Sequence, residues 1–182
     1  MTFRAKLLLA QAPLAIVLAL VCVLSVVMIS TLSSHSQIIL KDNYRSVLAA
    51  QRMKEAAERL DDSLAWSLLK GQQEEVGKQA SGYRQQFEQE LQVQEGNITE
   101  PGEQDATQRL RTFWNDYQQK IARFREIKEP EAAKQFYVTD LAAAFHSLRT
   151  TLEDILAINQ DSMVRKSEEV GRTQSRSMRL LS

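Results

Sequence analysis

From Leu7 to Ile29 the chain carries 23 residues without a formal charge, interrupted only by Gln11, Pro13 and Ser25, and charge does not return until Lys41. A helix needs about 20 residues at 1.5 Å each to cross a bilayer, so the run predicts a transmembrane anchor over residues 7–33. Arg4 and Lys6 precede it, which places residues 1–6 in the cytoplasm and 34–182 outside it. A cleaved signal would have a shorter apolar core and a small-residue cleavage site. The exit offers only Ser34-His35-Ser36, so a retained anchor is expected.

Beyond the apolar run the chain is polar, and its composition excludes most alternatives. Six Gly and three Pro in 182 residues are too few for the reversals of a strand-and-turn architecture. Lys+Arg and Asp+Glu number 23 each, and a chain with no net charge has no general attraction to nucleic acid. The single cysteine, Cys22, excludes an internal disulfide and any cysteine-rich metal site.

Apolar residues recur at steps of three and four, the signature of one helix face. The first stripe runs Leu40, Tyr44, Val47, Ala50, Met53, Ala57, Leu60, Leu64 and Leu68. Gly71 and Gly77 mark a reversal, and a second stripe passes through Val76, Ala80, Tyr83, Phe87 and Leu91. Gly96, Asn97, Pro101 and Gly102 make the strongest loop signal. Leu110, Trp114, Tyr117, Ile121 and Phe124 form a third stripe, and after Pro130 a fourth reads Tyr137, Leu141, Ala144, Leu148, Leu152, Ile155 and Ile158. The expected fold is all-α: an N-terminal transmembrane helix continuing into an antiparallel four-helix bundle, with helices over about 34–70, 73–95, 103–128 and 130–182. The fourth helix would overhang the middle two, which predicts a homodimer packed along the first and fourth helices. Arg165, Lys166, Arg172, Arg176 and Arg179 thicken toward Leu180-Leu181, as though a second span were opening. The chain thus reads as the input module of a longer membrane protein.

Nothing in the sequence suggests a catalytic residue, a metal site or a cofactor. His35 and His146 are far apart, and no phosphate loop or nucleophile elbow is present. Asn97-Ile98-Thr99 matches a glycosylation sequon, a tripeptide too frequent by chance to carry weight. Trp66 and Trp114 read as core or interface anchors. Arg45, Arg52 and Arg59 recur every seven residues and therefore share one face, drifting about 20° per repeat. Forked guanidinium donors in a column suit a small anion, and Asn159-Gln160, interrupting the fourth stripe, would stand opposite. Arg45, Arg52, Arg59, Asn159 and Gln160 are the candidate ligand set. The plainer reading pairs the arginines with Asp42, Glu55 and Asp62 on a solvated flank and makes Asn159 a register-fixing amide.

Two strings, Asn43-Tyr44-Arg45-Ser46-Val47-Leu48-Ala49-Ala50-Gln51-Arg52-Met53 with Glu58-Arg59-Leu60-Asp61, and Ile155-Leu156-Ala157-Ile158-Asn159-Gln160-Asp161-Ser162-Met163-Val164-Arg165-Lys166-Ser167, resemble the sensor domain of KinB-type bacterial sensor histidine kinases. The resemblance implies a dimeric periplasmic bundle between two membrane spans that signals to a cytoplasmic kinase core. That core lies outside this sequence, so phosphoryl transfer attaches to no residue in it. A chemoreceptor ectodomain and an envelope scaffold without a ligand are the competing readings.

Overall fold

The structure is a computed structural model that describes the backbone of residues 3–70 and 73–179, and the side chains of residues 13, 15–27, 41–68, 80–169 and 171–172. Its elements are α1 (Phe3–Lys70), α2 (Gln73–Glu95), α3 (Glu103–Glu126), α4 (Pro130–Phe136), a π-helical turn (Tyr137–Leu141) and α5 (Ala142–Arg179). No strand occurs among the described residues, in keeping with the scarcity of turn-forming residues. By internal contacts the chain divides into two units, Met1–Ile39 and Leu40–Ser182.

In the first unit the described apolar side chains, among them Ile16, Leu20, Leu24 and Val27, are exposed. Ser25 Oγ donates to the Val21 carbonyl at 2.8 Å, the back-bond that satisfies a hydroxyl on a helix without leaving it. No helix is long and apolar enough to cross a membrane among the described residues. The expected anchor, 7–33, extends over side chains outside that set.

The second unit is an up-down-up-down bundle, and cross-helix pairs set its directions. Arg52 meets Glu90 and Asp42 meets Asn97, so α1 and α2 run opposite ways. Lys54 meets Glu153 while Asp61 meets Tyr137, and Arg109 meets Asp154 while Glu103 meets Asn159, so the α4–α5 arm is antiparallel to both α1 and α3. Each helix buries one stripe. On α3 it is Ala106, Leu110, Trp114, Tyr117, Ile121 and Phe124. Against these pack Phe87 and Leu91 of α2, Met53, Leu60 and Leu64 of α1, and Leu148, Leu152 and Ile155 of α5. Four buried alanines on α1, at 49, 50, 56 and 57, leave room for the bulky aromatics opposite, where the Phe87 and Trp114 rings stack at 3.8 Å.

The connections are built from the residues the turns demand. Gly102, with φ 84°, takes the left-handed conformation that lets α3 begin, which costs a residue with a Cβ about 1–2 kcal/mol. Glu129 caps α4 through its carboxylate, accepting from the Glu131 and Ala132 backbone N–H groups, and Pro130 occupies the first turn, where no N–H is missed. The periodicity of the fourth stripe predicts one unbroken helix from Pro130. Instead the Ala142 N–H bonds to the Tyr137 carbonyl, five residues back, so one turn is wider than α.

Candidate functional site

The expected ligand residues are not brought to one space. Arg45, Arg52 and Arg59 do form an exposed column on α1, but Arg52 Nη1 bonds Glu90 Oε1 on α2 at 3.0 Å. The helix geometry explains the choice of partner. At about 100° per residue, the column points some 140–180° away from Lys54, the residue that ties α1 to α5. Arg45 and Arg59 pair with no carboxylate among the described residues. Gln160 is exposed on α5, whereas Asn159 continues the buried stripe of Leu152 and Ile155 and is fully enclosed.

Asn159 lies instead in a polar layer to which all four helices contribute. Toward the 96–102 loop every core stripe changes from apolar to polar: Asn43 and Ser46 on α1, Gln94 on α2, Glu103 and Thr107 on α3, Asn159 and Ser162 on α5, all buried. Glu103 is the hub. Its Oε1 accepts from Gln94 Nε2 and Asn159 Nδ2, both at 2.8 Å, and its Oε2 accepts from the backbone N–H groups of Thr99 (2.8 Å) and Glu100 (3.1 Å). Burial alone would raise its pKa; the bonds from Thr99, Asn159 and Gln94, with Ser46 nearby, outweigh it and hold the carboxyl below its ordinary value. The loop closes over α1 as well. Asn97 Nδ2 donates to the Asp42 carbonyl (2.8 Å) and Ser46 Oγ (2.9 Å), so the asparagine of the sequon is already committed within the fold. Thr99 Oγ1 donates to Asn43 Oδ1 at 3.2 Å. Glu100 pairs with Lys166 of α5; burial opposes its ionisation, and Lys166, Ser162 and Asn43 reverse that and lower its pKa.

A second polar contact ties the same helices further along the bundle. Asp61 of α1 accepts from Tyr117 of α3 at 2.9 Å and from Tyr137, the first residue of the π turn, at 2.8 Å. Burial raises the Asp61 pKa, the two phenols lower it in part, and Asp62 adds to the rise. Both phenols are raised in turn, by burial and by the negative charge they face. This contact holds α1 to the point at which the fourth arm changes its winding.

No group of three or more His, Cys, Asp or Glu side chains suited to a metal occurs among the described residues. His146 is exposed, as is Trp66, while Trp114 is buried and donates to Glu88 Oε2 at 2.9 Å. What the polar groups do is fix helices against one another: α1 is pinned at Asn43–Ser46 and again at Asp61.

A family model described as a four helix bundle sensory module for signal transduction matches residues 1–169. The chain belongs to this family. No curated protein and no solved structure matches it. Sequence patterning missed Glu103, Gln94, Asp61, Tyr117 and Tyr137 as an ensemble. A signal existed for part of it: Gln94 comes one step after Leu91, and Glu103 and Thr107 precede Leu110, each in step with an apolar stripe.

Proposed function

We propose that this sensory module is the extracytoplasmic input domain of an inner-membrane receptor, anchored through residues 7–33, dimeric along α1 and the fourth arm, and coupled to a cytoplasmic histidine kinase of the KinB type. Stimulus binding would favour one packing of α1 against the α4–α5 arm over another, and a ligand can shift that balance only through its differential affinity for the two packings. The observation that carries the reading is a pair of polar layers at separated levels: in one the 96–102 loop bonds both α1 and Glu103 of α3, which also accepts from Asn159 of α5, and in the other Asp61 of α1 bonds α3 and the π turn. Buried hydrogen-bonded layers make intermediate packings costly, because a displaced polar group is left unpaired in a low-dielectric interior. Of the candidate ligand set, Arg45 and Arg59 are the residues with guanidinium groups open to a small anion; Arg52 would have to release Glu90, and Asn159 serves the interior.

Topology is tested by fusing alkaline phosphatase after Ser182 in a bacterial host. High phosphatase activity is expected, and an inactive, cytoplasmic fusion would refute the placement. Coupling is tested by disulfide trapping between cysteines placed on α1 and α5 in Asp61→Asn and unsubstituted chains in membranes. An unchanged crosslinking pattern would sink the two-packing mechanism. The encoded sequence beyond Ser182 separates a kinase from a chemoreceptor output.

A further inference from the structure

The 96–102 loop holds α1 and α5 by different chemistry. Its hydrogen bonds toward α1 join neutral groups. Asn97 Nδ2 donates to the Asp42 carbonyl at 2.8 Å and to Ser46 Oγ at 2.9 Å, Ser46 Oγ donates to the Asn97 carbonyl at 3.2 Å, and Thr99 Oγ1 donates to Asn43 Oδ1 at 3.2 Å. None of the groups in these bonds takes up a proton in mild acid. Toward α5 the tie is a charge pair, with Lys166 Nζ donating to Glu100 Oε1. Only 5% of the Glu100 side chain is exposed, against 31% of Lys166, so the lysine has a path to solvent that the carboxylate lacks.

Burial opposes the ionisation of Glu100, and Lys166 and Ser162 of α5 with Asn43 of α1 outweigh it and hold the carboxyl below its ordinary 4.5. The other charged groups near it are Glu103 of α3, which accepts its backbone N–H at 3.1 Å, and those around the adjoining Pro101. These are Arg109 of α3 and Asp154, Asp161 and Arg165 of α5, two of each sign. From α2 comes the neutral amide of Gln94, which donates to Glu103. Above pH 4.5 the pair with Lys166 is intact. As pH falls through the lower folded value, Glu100 takes a proton from solvent, the attraction is lost and Lys166 turns to water. We propose that the loop is an acid-operated clasp: a proton on Glu100 frees α5 from the loop, while the neutral bonds keep the loop on α1. The clasp stands on these contacts alone, and only its use as an input rests on the sensory reading.

The test uses the full chain in detergent with Cys22→Ser and spin labels on pairs of introduced cysteines. Ile98→Cys with Val164→Cys reports loop to α5, and Ile98→Cys with Tyr44→Cys reports loop to α1; all three native side chains are exposed. Distances are read by electron paramagnetic resonance from neutral pH down to about pH 3. The loop–α5 pair is expected to lose its short-distance population below pH 4.5, while the loop–α1 pair keeps its own. Lys166→Met should show the freed loop–α5 distribution already at neutral pH, with no further change in acid, and Glu100→Gln should likewise abolish the acid response. Lys166→Arg should keep both the native distribution and its response. A loop–α5 distance independent of pH, both distances lengthening together, or an acid response that survives Lys166→Met overturns the proposal. Such a failure removes the clasp and leaves the phosphatase and crosslinking tests of the receptor reading untouched.

Discussion

Glu103→Ala should remove about 3–6 kcal/mol of bundle stability. The carboxylate accepts from Gln94, Asn159, Thr99 and Glu100. Thr99 is exposed, so its N–H can turn to water, but the Gln94 and Asn159 side chains are fully buried. Each buried amide loses a hydrogen bond to a charged acceptor, worth about 1.5–3 kcal/mol. Two such losses fall within reach of the whole stability of an ordinary domain, about 5–15 kcal/mol. Asn159 would retain its bond to the Ile155 carbonyl at 3.0 Å, which places it nearer the lower bound. Adding Asn159→Leu to Glu103→Ala should recover part of the loss, because one of the two amides left without the carboxylate is replaced by an apolar side chain, while Gln94 keeps only its 3.4 Å contact to Thr107. The same Asn159→Leu alone should destabilise, since it takes a donor from a buried charge. Urea unfolding of the four chains, tracked by Trp114 emission and helical circular dichroism, yields the double-mutant cycle. Additive effects, or a Glu103→Ala cost below about 1 kcal/mol, would refute the account of this layer as a coupled hub.

Acid should dissolve the same layer. Glu103 and Glu100 have folded pKa values below their ordinary 4.5, so their stabilisation is present above pH 4.5 and is lost as pH falls through the lower folded values; Glu103→Gln should flatten that part of a melting-temperature profile. Asp61 has the opposite sign: its folded pKa lies above the ordinary 3.8, so stability falls as pH rises from there through the folded value. Asp61→Asn is therefore expected to be neutral or stabilising at pH 7, with any gain vanishing near pH 3, by thermal unfolding across pH. Gly102→Ala meets no atom within 4 Å of its new Cβ, yet should cost about 1–2 kcal/mol because φ is 84°. Arg52→Gln should cost under about 1 kcal/mol, and that cost should shrink with added salt, because its pair with Glu90 is half-exposed.

The helices and their buried faces were legible because burial keeps a 3.6-residue period that spacing alone reveals. The stripe through Leu110, Trp114, Tyr117, Ile121 and Phe124 is the buried face of α3. Partner choice was not legible in the same way. Which helix stands beside Arg52 depends on the handedness of the bundle, which periodicity does not encode, and so Glu90 was invisible next to the nearer Glu55. Asn159 was recognisable as an amide breaking an apolar stripe, and its register-fixing role was the plainer of the two readings; its acceptor, 56 residues away, was not recognisable. The π turn left no mark because Tyr137 and Leu141 are spaced as an ordinary α face would space them.

That wide turn makes the fourth arm unusually forgiving of one kind of genetic change. A π turn holds a surplus residue relative to α winding, so deleting exposed Val138 would restore ordinary winding while Ala144, Leu148, Leu152 and Ile155 keep their places. The same deletion made at Thr150 would rotate every later side chain by about 100° and expel Asn159 from the interior. Length variants among natural homologues should therefore cluster at residues 137–141.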